Sequence, residues 1–273
     1  MDTDHGEPAF ERRLLLAVGG LLLLGGCAVT HAAEPDARPG VRRARPAKTP
    51  EVRPVADRKP AAARHHERRA SHRRQPGLTD QPVDHIDDGR KAIALTIDDG
   101  PSPVYTPQVL ALLRHYGITA SFSMIGVNVL AHPGVAREVA DAGHMIVNHT
   151  QTHHNLAFMP PARVGDEIHF ATDAIHRATG RVPDMFRAPY GVWPPTVFQL
   201  CAATGMTPLG WSVDPRDWSR PGVSAIIRNI LGNTRTGSII LEHDGGGDRS
   251  QTVAALRFVI PRLLEAGYHF RTP

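Results

Sequence analysis

Asp98 and Asp99 stand side by side in Thr96-Ile97-Asp98-Asp99-Gly100-Pro101-Ser102, directly after the apolar run Ile93, Ala94, Leu95. An apolar segment that ends in adjacent acids and then Gly-Pro reads as a buried strand breaking into a loop. Neighbouring strand side chains face opposite ways, but the chain is already turning at a terminus, so both carboxylates can aim into one cleft. One can then hold a cation while the other stays free to take a proton. Further on, His149 and His153 are four residues apart. They can reach one cation if the segment between them makes about one helical turn. A carboxylate from another strand would complete three protein ligands and leave a position for water, as in catalytic rather than structural zinc. Each signal has a plainer reading: Asp-Asp-Gly is a favoured loop start, and a lone pair of histidines at this spacing is often structural.

The elements that must position these groups follow from the hydrophobic pattern. Strands are expected at 93–97, 120–124, 145–147, 185–186, 207–213, 238–241 and 268–270. Helical stripes fall between them at 109–116, 135–142, 162–179, 196–203, 226–231 and 253–264, several of them stopped by glycine. Such regular alternation argues for a parallel α/β architecture, and a barrel smaller than the usual eight-fold one suits it better than an open sheet. No Gly-rich phosphate loop follows the first strand, which speaks against a nucleotide-binding sheet.

In such a barrel the C-terminal ends of the strands share one mouth. Polar residues recur at those ends: Asp98 and Asp99, then Asn148 to His154, Arg187-Ala188-Pro189-Tyr190, Asp214-Pro215-Arg216-Asp217-Trp218, and His243-Asp244. His144, His154 and His169 match no role in this set and read as surface or supporting residues.

Taken in order, TIDDG at 96–100, HTQTH at 149–153, RAPY at 187–190, DPRDW at 214–218 and LEH at 241–243 resemble the motifs of the polysaccharide deacetylase family, also called NodB-homology or carbohydrate esterase family 4. The resemblance covers 93–270 and implies a domain over 85–273 with a distorted (β/α)7-like barrel. It implies that Asp99, His149 and His153 hold a divalent metal, most often Zn2+. Asp98 would be the general base for a water activated by that metal, and His243 the acid that protonates the departing amine. Arg187 would hold Asp98, and Asp217 would hold His243. The backbone N–H of Tyr190 would meet the oxyanion, while Trp218 and Leu241 would wall the slot for the acetyl methyl. The implied substrate is an acetylated amino-sugar polymer such as peptidoglycan or a chitin-like chain. Sugar O-deacetylation is a variant of the same chemistry. A two-histidine, one-carboxylate iron site is a different reading, but it does not require Asp98 or the support of His243 by Asp217. Glu242 departs from the apolar residue often found between the Leu and His of the last motif. Strand alternation turns it away from Leu241 and His243, so it is expected to affect packing more than chemistry.

The rest of the chain bounds the setting. Residues 34–76 carry 13 Lys plus Arg against 5 Asp plus Glu, a balance of +8, whereas residues 77–273 hold 16 basic and 18 acidic side chains, a balance of −2. The basic pI therefore describes a tail, and a nucleic-acid partner is not indicated. The region 34–84 is rich in Pro, Ala and Arg, cannot bury enough apolar surface to order itself, and reads as a disordered tether. Its histidines, His65, His66 and His72, are assigned no metal. Residues 1–33 read as a targeting segment: Arg12-Arg13 precede a short apolar core too Gly-interrupted to span a membrane comfortably. Leu24-Gly25-Gly26-Cys27 resembles a lipobox, with cleavage near Ala32-Ala33 as the alternative. A lipidated Cys27 and the basic tail would place the enzyme outside the cytoplasm at the envelope. Cys201 is then alone, and its place in an apolar helical stripe reads as structural.

Overall fold

The computed structural model describes residues 80–273. The expected targeting segment, Cys27, the three tail histidines and the tether up to residue 79 lie outside the described residues. Seven strands appear in chain order: β1 Ala92–Gly100, β2 Ser121–Met124, β3 Met145–Asn148, β4 Met185–Phe186, β5 Thr207–Pro208, β6 Ile239–His243 and β7 His269–Phe270. Seven helices accompany them: α1 Thr106–Tyr116, α2 Gly126–Ala131, α3 Pro133–Asp141, α4 Pro161–Thr179, α5 Pro195–Thr204, α6 Val223–Asn233 and α7 Ser250–Glu265. The ladder runs β5-β4-β3-β2-β1-β6 with β7 beside the first residues of β1, and every pairing is parallel. This is the expected α/β class, a distorted (β/α)7-like barrel.

β1 is the central strand and is buried along its whole length, as a strand covered on both faces must be. Its alternation sorts the core into two layers. Ile93, Leu95 and Ile97 face the helices, among Val109 and Leu113 of α1 and Leu256 and Ile260 of α7. Ala94 faces inward with Val147, Met185, Leu209 and Ile239. Gly117 ends α1 in the left-handed conformation at φ 62°, where its N–H can cap the last carbonyls without a Cβ penalty.

Three features differ from the sequence expectation. The short helix α2 precedes α3, and only the latter was expected. Pro133 removes an N–H donor at the first turn of α3, so the chain breaks at His132 and starts a new helix. The fifth strand, expected over 207–213, ladders only at Thr207–Pro208. Beyond it, Leu209 bridges to Val83 and Val213 to Ile240. These bridges form the seam of the barrel: Val83 donates to Pro208 O, Gly210 donates to Val83 O, and Ile86 donates to Gly237 O. The domain boundary drawn at 85 therefore falls inside a segment that already pairs, because the gap between β5 and β6 leaves backbone groups that Val83 and Ile86 satisfy.

Candidate active site

Alternation along β1 would send Asp98 into the barrel and Asp99 to the outside. The ladder with β2 shows how both reach the mouth: Asp98 pairs with Ser123 and Gly100 with Met124, so Asp99 is an extra residue, and it sits at φ 72°. A bulge of this kind re-aims a side chain. Left-handed backbone at a non-glycine residue persists only where its surroundings enforce it. Here the turn after β6 does so, since a Cβ at Gly245 would lie 1.9 Å from the Asp99 carbonyl oxygen.

The loop after β3 brings the second imidazole back without a helical turn. Thr150 and His153 both have positive φ, at 67° and 60°, and the His153 N–H donates to Thr150 Oγ1 at 2.9 Å. Asn148 braces the loop through an acceptor bond from the Thr150 N–H and donor bonds to Ile168 O and Thr172 Oγ1. Glu167 of α4 accepts from both the N–H and the hydroxyl of Thr152. The two rings end with centroids 4.8 Å apart.

Around Asp99 the geometry is that of a donor set facing a gap. Asp99 Oδ1 is 3.5 Å from His149 Nε2 and 3.2 Å from His153 Nε2, yet it is buried without a hydrogen-bond partner. One ligand atom from each residue lies within 4.8 Å of the others. His149 Nδ1 is 2.8 Å from the Arg187 carbonyl oxygen, which selects the tautomer that leaves Nε2 as an acceptor. An orphaned carboxylate oxygen facing two such nitrogens fits a divalent cation. Burial alone would raise Asp99, but the His149 imidazole beside its carboxylate, with the charges of His243 and His153, outweighs it and holds it well below the usual carboxylate range. Burial alone would lower His149, and Asp98 and Asp99 outweigh that and raise it, whereas burial dominates at His153 and lowers it.

Asp98 is held differently. Its Oδ1 accepts from Arg187 Nη1 at 2.8 Å, and Arg187, with no exposed surface, also donates to Thr96 Oγ1, Leu209 O and Gly210 O. A buried guanidinium with this many acceptors is fixed in place, and it fixes the carboxylate with it. Asp98 Oδ2 stays 3.7 Å from His149 Nε2, beyond hydrogen-bond range.

Across the mouth, His243 Nδ1 is 2.7 Å from Asp217 Oδ1, and Asp217 Oδ2 accepts from the His243 N–H at 2.9 Å and from Thr252 Oγ1 at 2.7 Å. Burial opposes the imidazolium, but the Asp217 carboxylate outweighs it and pushes His243 up to about 9.

Eight of the ten residues singled out from the sequence line one cavity of about 400 Å³: Asp98, Asp99, His149, His153, Tyr190, Trp218, Leu241 and His243. Arg187 and Asp217 stand directly behind Asp98 and His243. Trp218 is half-exposed, with the Arg216 guanidinium 5.3 Å from its ring, and so is not a core aromatic. Tyr190, at φ 61°, packs its ring 4.8 Å from that of His153. Trp211, Ala188 and Asp214 also line the cavity. Trp211 was legible only as an aromatic in an expected strand, and its ring abuts Gly191, where a Cβ would come within 2.5 Å. His144, expected as a surface or supporting residue, is not at the surface: it is buried against Phe122 and accepts from the Ala120 N–H. Cys201 is buried and unpaired, its thiol pushed up to about 12 by burial, as a structural thiol should be.

Comparison with known proteins agrees with this geometry. The family model described as polysaccharide deacetylase matches residues 85–209. A chitooligosaccharide deacetylase of Bradyrhizobium sp. (strain ANU 289) is 42% identical over 192 residues, spanning 66% of this chain and 88% of that protein. A peptidoglycan-N-acetylglucosamine deacetylase of Bacillus cereus is 41% identical over 189 residues, spanning 68% and 88%. The crystal structure of a peptidoglycan N-acetylglucosamine deacetylase in complex with an N-oxidanyl-benzamide aligns with a TM-score of 0.67 at 32% identity, covering 69% of this chain and 89% of that one. Sequence likeness over most of the relatives' length and a shared barrel point the same way: the chain belongs to the polysaccharide deacetylase family, the NodB-homology or carbohydrate esterase family 4 hydrolases.

Proposed function

We propose that this protein is a metal-dependent N-deacetylase that acts outside the cytoplasm on an N-acetylglucosamine polymer, peptidoglycan or a chitin-like chain. The observation that carries the reading is the division of labour between adjacent acids: Asp99 faces two imidazoles and Asp98 faces a buried Arg187. Asp99, His149 and His153 would hold a divalent cation, and two nitrogens with one oxygen suit Zn2+. When bound, the cation supplies Lewis-acid polarisation and makes a nearby water more acidic.

The chain's own groups account for the remaining steps. Asp98, kept in one orientation by Arg187, takes the proton of the attacking water. The backbone N–H of Tyr190 is assigned to the oxygen that gains charge at the acetamide carbonyl. His243, which Asp217 keeps protonated through neutral pH, gives its proton to the sugar amine as the C–N bond breaks. Leu241 and Trp218 border the slot for the methyl group, and the half-exposed faces of Trp218 and Tyr190 leave the mouth open to a long chain. The Arg12-Arg13 and Cys27 segment and the basic tail, outside the described residues, are assigned to export and retention at the envelope.

Acetate release tests this reading on N-acetylglucosamine oligomers and on peptidoglycan, beside an O-acetylated sugar ester. Turnover of the amide that stops on chelation and returns with Zn2+ supports it. Turnover of the ester alone assigns an esterase, and an iron- and oxygen-dependent reaction removes hydrolysis altogether.

A further inference from the structure

Glu242 is a buried acid that the mechanism leaves without a task. It lies on β6 opposite Ile97 of β1, between Leu241 and His243, and has no exposed surface. Among the described residues, no N–H or O–H group donates to either of its carboxyl oxygens. A carboxylate in that position would be a buried charge without a partner, which proteins avoid. Asp217 Oδ2 accepts from the N–H of His243, the residue next to Glu242, and from Thr252 Oγ1 of α7, so the turn Asp217–Ser219 packs the Asp217 carboxylate against the end of β6 that carries Glu242. Two acids can share a hydrogen bond only if one keeps its proton.

The neighbours decide which one. Asp217 already accepts from His243 Nδ1–H, the His243 N–H and Thr252 Oγ1–H, all of which favour its ionised form. Burial, the adjacent Asp217 carboxylate and the charge of Asp214 act on Glu242, and all of them push it well above the usual carboxylate range. Ile97 is apolar, and Arg249 at the start of α7 is turned to the carbonyls of Gly245, Gly246 and Trp218.

We propose that Glu242 is a positioning residue for the acid pair: as a neutral carboxylic acid it donates a hydrogen bond to Asp217 and holds that carboxylate with Oδ1 facing His243. The inference rests on the reading of His243 as the proton donor. It explains why an acid can occupy a strand position whose partner across the ladder, Ile97, is apolar. The donated bond also draws charge off Asp217, so the imidazolium gives up its proton more readily.

Three variants and two readouts test it. In Glu242→Leu the donor is gone, and kcat should fall about three- to tenfold with KM little changed, while the basic limb of the pH profile moves up by roughly half a unit to one unit. Glu242→Gln keeps an N–H donor and should stay near wild type in both. Equal behaviour of the two variants, or a basic limb that moves down in both, overturns the proposal, because the latter means that Glu242 was ionised. The His243 Nδ1 proton and 15N resonances read the hydrogen bond without turnover: they should shift in the Leu variant and not in the Gln variant, and no shift in Leu overturns the idea. If the Leu variant does not fold, Glu242→Met takes its place. His243→Ala stands apart as the control, since full activity there removes the proton donor itself and leaves the resonance test of Glu242 intact.

Discussion

The molecule contains two groups made of the same side chains, on opposite sides of one mouth. Asp99 meets His149 and His153, and Asp217 meets His243, yet the two acids are treated in opposite ways. Asp217 has both oxygens engaged, one by the imidazole and the other by a backbone N–H and a hydroxyl. Asp99 has a buried oxygen with no hydrogen-bond donor among the described residues, at 3.2 and 3.5 Å from two ring nitrogens. A saturated acid next to an imidazole stabilises a proton on that ring. An unsaturated acid between two rings leaves a place for a cation. Residue type alone does not separate a proton donor from a metal site. The count of remaining hydrogen-bond partners does.

Exchanging or emptying these partners tests the contrast. The largest effect is expected from Asp99→Ala, which removes the unsaturated oxygen: metal binding by calorimetry should be lost and acetate release should drop on the order of 10³-fold or more. Weak binding with activity kept would show that the gap is not the cation site. Asp217→Asn should lower kcat on the order of 10²-fold. It should also move the basic limb of the pH profile down from about 9, since the carboxylate is what holds His243 charged. In the wild type the sign runs the same way: the His243 contribution to stability is full below its ordinary value of about 6.5 and is lost as pH rises through about 9, which a pH series of thermal melts reads.

A smaller effect is expected on the cation side from Gly245→Ala. Its Cβ would press on the Asp99 carbonyl, so the bulge must shift, at a cost of about 1–3 kcal/mol in stability and with weaker metal affinity. The smallest belongs to Thr252→Val, which removes the hydroxyl donor to Asp217 and should cost about 1 kcal/mol while leaving metal affinity unchanged. A change in metal affinity there would merge the two groups into one.

Much of this was legible in the chain. Each polar cluster sits where an apolar run ends, and a parallel barrel gathers those ends by construction. The periodic runs gave the strands and most helices for the same reason. What escaped depended on backbone geometry that periodicity does not record. Asp99 reaches the mouth by a bulge at positive φ, and His153 returns through two left-handed residues where a helical turn was expected. Val83 and Ile86 close the seam through backbone bonds, which carry no side-chain signal. α2 was missed because six residues are too few for a helical stripe to stand out, and Trp211 because an aromatic in a strand reads as core.

The division of labour between the adjacent acids can be read from one pair of isosteric changes. Zn2+ content and acetate release from an N-acetylglucosamine oligomer would be measured for Asp98→Asn and Asp99→Asn under identical conditions. Asp98→Asn should bind one equivalent of Zn2+ and release almost no acetate, while Asp99→Asn should lose both. Loss of Zn2+ from Asp98→Asn, or near-normal acetate release by it, would contradict the account.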